Sequence, residues 1–263
     1  MFGIVQRRLR TLAEYEEAWV TPVDVPNFVR ELGEPGSLST ESGFQAAAHF
    51  IAGSLERSDF KLFRNGGLPL LERRTPPLRE EILLRLGPNA VRGAYLPVSL
   101  ELHICHEGLR EIRERYWLGA GRPPMVLVSG NIGLTQQIPT FDIWNVLTED
   151  ALSELLFTIR QDVLPFLELL DAPNQLRRAI FDFEAPLFDH ATAIEWLLIE
   201  FGRKDARDYV RALIDNEDIA VRDFWSHHDA VKSELGAAIK TGETARNLAV
   251  IAVSHDLFRR WLY

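Results

Sequence analysis

Three potential metal ligands crowd together at His103, Cys105 and His106, and soft or borderline donors at that density would suit zinc or a redox centre. Their spacing works against convergence. On a strand running through Ile104, His103 and Cys105 share one face while His106 points to the other. The reading adopted is a strand end leading into a helix-capping segment, with a metal site and a reactive thiol as alternatives. His228 and His255 form a second pair of interest. His228 lies on the stripe Val221, Phe224, Trp225 and Leu235, and His255 on the stripe Leu248, Ile251, Phe258 and Leu262, so both should face inward. Beside Asp223, Asp229 or Asp256, an inward imidazole could act as the general base of a hydrolase. The plainer expectation is two core histidines that donate to backbone carbonyls.

Other chemical signatures give less. Val128-Ser129-Gly130 lacks the leading glycine of a serine elbow, and the chain holds no P-loop, H-E-x-x-H or strand-borne Gly-x-Gly-x-x-Gly. Gly130-Asn131-Ile132-Gly133 is followed by a Pro-interrupted segment rather than a helix, so it reads as a loop without a phosphate-holding N-terminus. The acidic pairs Glu16-Glu17, Glu80-Glu81 and Glu149-Asp150 are scattered, and spacing alone selects no carboxylate pair.

Charge narrows the partners. The chain has 263 residues, 29 Lys plus Arg against 38 Asp plus Glu, and a formal net charge of -9, which repels a phosphate backbone. The basic clusters Arg7, Arg8, Arg10 and Arg73, Arg74, Arg79 are short and lack interleaved aromatic platforms, so nucleic acid is not an expected partner. Cys105 is the single cysteine, which rules out an intrachain disulfide and fits a reducing compartment. No run approaches the ~20 apolar residues of a membrane span, and the first residues lack an apolar signal-peptide core. A cytoplasmic protein with no cofactor is expected.

Three zones must position these side chains. Residues 1 to about 45 read as an irregular arm, punctuated by Pro22, Pro26, Pro35 and Gly36. From 46 to 147 the period is two. Asn65-Gly66 suggests a two-residue hairpin turn, followed by strands at 79–86 and 96–104, the latter with Leu96, Val98, Leu100, Leu102 and Ile104 on one face. A helix from about Glu107, a buried strand at 125–128 and a last strand at 138–146 complete this zone. From 148 to 263 the rhythm is helical, with Thr148 as the first cap, a stripe from Leu152 to Leu170, and a kink or break expected at Leu164 before Pro165. Shorter helices are expected at 173–183, 189–201, 204–215, 218–235 and 243–261. The fold class is α+β: an antiparallel sheet of about five or six strands with the helical C-terminal half packed on one face.

The order hairpin, strand 79–86, long strand 96–104, helix, two strands and a helix carrying Val163-Leu164-Pro165 resembles a family of bacterial α+β proteins that carries only a domain-of-unknown-function label. Some of its members are encoded near polymorphic-toxin immunity genes. Phe201-Gly202-Arg203-Lys204-Asp205-Ala206 is similar to the glycine-led start of that family's closing helix. The likeness spans about residues 44 to 215 and rests on apolar patterns; the long first zone and the extra C-terminal helices depart from it. It brings no catalytic residues and implies an interaction protein. Together with the net charge, it leads to the expectation of a protein-binding, immunity-like module that offers an acidic surface to a basic protein partner; the alternative is a hydrolase built on His228 and His255.

Overall fold

A computed structural model describes residues 39–55, 58–117, 122–136, 140–185, 187–216, 220–233 and 243–258. The expected arm, apart from its last residues, therefore lies outside the described residues. Those last residues are helical. Helix α1 spans Thr40–Ser54, capped by Ser39, whose side chain accepts from the Ser42 N–H. Residues 40–45, read as the end of the arm, instead start a helix, because a short hydroxyl side chain at Ser39 satisfies an orphan N–H of the first turn. Its buried face is Phe44, Ala47, Ala48 and Ile51.

The sheet follows: β1 Lys61–Asn65, β2 Leu68–Thr75, β3 Leu78–Leu86, β4 Pro97–His106, β5 Val126–Asn131 and β6 Trp144–Asn145. All pairings are antiparallel in the order β1-β2-β3-β4-β5, with β6 on the N-terminal part of β4 beside β5. The first hairpin turns one residue later than its sequence suggests. Asn65 pairs with Leu68, and Gly66 and Gly67 take the two positive-φ turn positions (58° and 87°). Without a Cβ, both glycines take these left-handed angles at no steric cost.

The alternation read in β4 is the one observed. Val98, Leu100, Leu102 and Ile104 enter the core, and their partners Leu84, Ile82 and Glu80 on β3 share that face. Strand β5 runs on through Asn131, and Ile132–Thr135 forms a 3-10 turn, so only the latter half of Gly130-Asn131-Ile132-Gly133 lies beyond the sheet. The expected strand at 138–146 reduces to the two residues of β6. Helix α2 is short, Leu109–Arg113, where a longer one was expected; it pays inward with Leu109 and Tyr116.

The remaining helices are α3 Glu149–Thr158, α4 Leu164–Leu170, α5 Pro173–Phe181, α6 His190–Glu200, α7 Arg203–Asp215, α8 Val221–Ser233 and α9 Thr244–Ser254. Between α3 and α4 the chain widens into a π-helical segment, Ile159–Val163. Pro165 has no N–H to close an α-turn and its ring crowds the carbonyl four residues back, so the helix absorbs it by widening rather than breaking. One hydrophobic cluster joins α1, the inner face of the sheet and buried residues from α3 to α9. That shared core makes each side chain below answer to both layers.

Candidate functional site

Strand β4 sets the geometry, since it carries His103, Cys105 and His106. Odd positions face away from the helices. On this outer face Arg85 Nε lies 2.7 Å from Glu101 Oε2, Glu101 Oε2 lies 3.6 Å from His103 Nε2, and His103 Nδ1 lies 2.9 Å from Ser129 Oγ. Register produces the row, because β4 pairs His103 with Ser129 of β5. Cys105 continues it, with Arg79 Nη2 3.5 Å from its sulfur. A hydroxyl bonded to an imidazole with a carboxylate behind it is the pattern of an activated nucleophile. Here the carboxylate stands beyond hydrogen-bond length from the ring and is engaged by Arg85, so the row is an ion-pair and hydrogen-bond ladder across three strands. The sequence offers Ser129 only as a failed serine elbow; the strand register is what places it opposite His103.

His106 faces the helices. Its Nδ1 accepts from the Gly108 N–H at 3.0 Å, which leaves the proton on Nε2 to be donated to Glu200 Oε1 of α6 at 3.0 Å. His106 is thus separated from His103 and Cys105 by the thickness of the sheet, and among the described residues no three His, Cys, Asp or Glu side chains gather as a metal site. The ring clamps the turn before α2 onto α6.

Beside that clamp sits a buried charge pair. Glu195 of α6, 2% exposed, accepts from Arg113 Nε at 2.9 Å and Arg113 Nη2 at 2.7 Å, and also from the Tyr116 hydroxyl. Arg113 Nη1 donates to the carbonyls of Pro124 and Val126, both at 2.9 Å. Burial and the neighbouring Glu195 charge push the Tyr116 phenol up, so it remains a donor. Glu80, on the inner face, is held by Arg73, which also reaches Asp171. Burial raises the Glu80 carboxyl despite that pairing.

His228 and His255 are both buried, at 3% and 2% exposure, but in separate surroundings. His228 packs among Phe224, Trp225 and Phe258, with ring centroids 5.0 to 6.0 Å away, and burial lowers its basicity. His255 Nε2 donates to the Ile112 carbonyl at 3.2 Å, and its ring meets Tyr116 edge-on. Burial, with Arg115 nearby, holds its pKa down to about 4. Neither imidazole reaches solvent, so they do not line a shared cleft; they tie α8 and α9 into the core.

Several arginines are taken up by these contacts. Arg73, Arg74 and Arg79, the basic cluster within the described residues, each face a carboxylate: Glu80, Glu72 and Glu81. Surplus carboxylates remain outside. Helix α2 and its flanks place Leu109, Arg113 and Tyr116 inward and leave Glu107, Glu111 and Glu114 exposed, at spacings of four and three residues. No helix among the described residues is long and apolar enough to cross a membrane. The chain matches no family model, no curated protein and no solved structure.

Proposed function

We propose that this chain is a protein-binding module, immunity-like in kind, that acts in the bacterial cytoplasm by presenting an acidic surface to a basic protein partner. The observation that carries the reading is the fate of the charges. Arginines pair one to one with Glu80, Glu72, Glu81, Glu101 and Glu195, the chain carries a net charge of -9, and Glu107, Glu111 and Glu114 stand exposed. Fields of one sign steer an oppositely charged partner and set its orientation. A lone thiol at Cys105 suits a reducing compartment.

The test is affinity against labelled basic, neutral and acidic proteins at low and high salt. The reading expects binding to the basic set that weakens at least about tenfold between ~25 and ~250 mM salt. Equal affinity for acidic and basic proteins, or salt-independent binding, overturns it.

A further inference from the structure

The segment Thr140 to Ile143 has no regular secondary structure, and Asp142 is half-buried between exposed neighbours. Asp142 is fixed from three sides. Its carboxylate accepts from Gln136 Nε2 and Thr140 Oγ1, each at 2.8 Å. Its backbone is paired by the Asn131 side chain, which accepts from the Asp142 N–H and donates to the Asp142 carbonyl, both at 3.1 Å. Gly133 lies so close beneath that an added Cβ would stand 2.5 Å from Asp142 Oδ2. This network holds two large apolar side chains in solvent: Phe141 is 70% exposed and Ile143 47%.

Along the chain its flanks are of one sign. From Pro123 through Ile159 the sequence holds no Lys, Arg or His, while it holds Asp142, Glu149, Asp150 and Glu154. The last three are exposed on α3, which starts one tight turn after β6, closed by Thr148 Oγ1 donating to the Asn145 carbonyl at 3.0 Å. Rigid apolar anchors on a stretch whose charged side chains are all carboxylates complement a segment whose apolar side chains alternate with cations, because the anchors are desolvated while the rim stays ionic.

We infer that Phe141 and Ile143 are the apolar anchors of the partner site, and that their occupant is a short Lys- or Arg-rich apolar segment of a basic protein. The inference rests on the proposed function and adds the place of contact and the chemistry of the segment. The probe is a fluorescent peptide of alternating Lys and Leu, with alternating Lys and Ser as its polar counterpart. Binding of the full chain is followed by anisotropy for wild type, F141S, and F141S/I143S, with thermal midpoints measured alongside. Both changes lie at exposed positions and should leave the midpoint unchanged.

The expected result is that wild type prefers Lys-Leu over Lys-Ser by about tenfold or more, and that F141S/I143S loses that preference while its affinity for Lys-Ser is unchanged. If the double variant binds Lys-Leu as wild type does, the anchors are misassigned and the acidic-surface reading stands. If neither peptide binds wild type with salt sensitivity, both fall together. A concentration-dependent dimer that the double variant abolishes assigns the anchors to a second copy of this chain and overturns the peptide as occupant.

Discussion

Substituting Glu195 by Gln removes a charge from the buried corner where α2, α6 and α9 meet while keeping the side chain's shape. In the wild type, Glu195 neutralises Arg113 through two hydrogen bonds and receives the Tyr116 hydroxyl. A glutamine amide keeps one acceptor oxygen but turns an N–H₂ group toward a guanidinium that has only donors to offer. Arg113, whose side chain is 13% exposed, retains the Pro124 and Val126 carbonyls but loses its counter-charge. Leaving one member of a buried pair uncompensated costs about 3 to 5 kcal/mol. Since Arg113 keeps its two carbonyl partners, about 3 kcal/mol is expected, a fall of roughly 6 to 12 °C in thermal midpoint for a chain of this size. Urea unfolding followed by tryptophan fluorescence at neutral pH measures it. A triple variant, R113M/Y116F/E195L, should recover part of the loss, because it leaves neither a buried charge nor the Tyr116 hydroxyl without a partner and only the Pro124 and Val126 carbonyls unmet. A loss below about 0.5 kcal/mol in E195Q refutes the view that this pair matters through uncompensated charge.

The pH dependence has a definite sign. His255 has a folded pKa near 4 against 6.5 when unfolded, so below 6.5 the unfolded chain takes up a proton that the folded chain refuses. Stability is full above pH 6.5 and declines by about 3 kcal/mol as pH falls toward 4. His228 adds in the same direction and the raised Glu80 carboxyl opposes it; H255Q, which can still donate to Ile112, should flatten the slope in urea titrations across that window. Gly133→Ala should cost about 2 kcal/mol through the Cβ contact with Asp142, and it should lower the Lys-Leu peptide affinity by displacing Phe141, both read by melting and anisotropy. His106→Ala leaves the half-buried Gly108 N–H and Glu200 carboxylate without their shared ring and should cost about 2 kcal/mol in the same urea assay.

What the sequence made legible follows from periodicity. The apolar face of β4 and the stripe from Leu152 to Leu170 are long repeats, and each survives as a buried surface. Short elements were not legible, since β6 has two residues and the stretch ending in Ser39 hides a cap among turn-forming residue types. For the site, alternation alone separated His106 from His103 and Cys105. It was blind to Ser129 opposite His103 and to Glu195 beneath Arg113, because a cross-strand register and a helix-to-helix contact join residues 26 and 82 positions apart. The inward histidines could be placed on buried stripes, but not told apart as the carbonyl-bonded His255 and the aromatic-packed His228.

The most direct measurement of the central claim is the association rate constant between this chain and a basic protein that it binds, taken over a range of salt for wild type and for E107Q/E111Q/E114Q. An acidic exterior that steers its partner predicts a rate that falls steeply with salt in the wild type, falls less steeply in the triple variant, and starts lower there at low salt, with dissociation little changed. A rate indifferent to salt, or identical in the two proteins at every salt concentration, contradicts it.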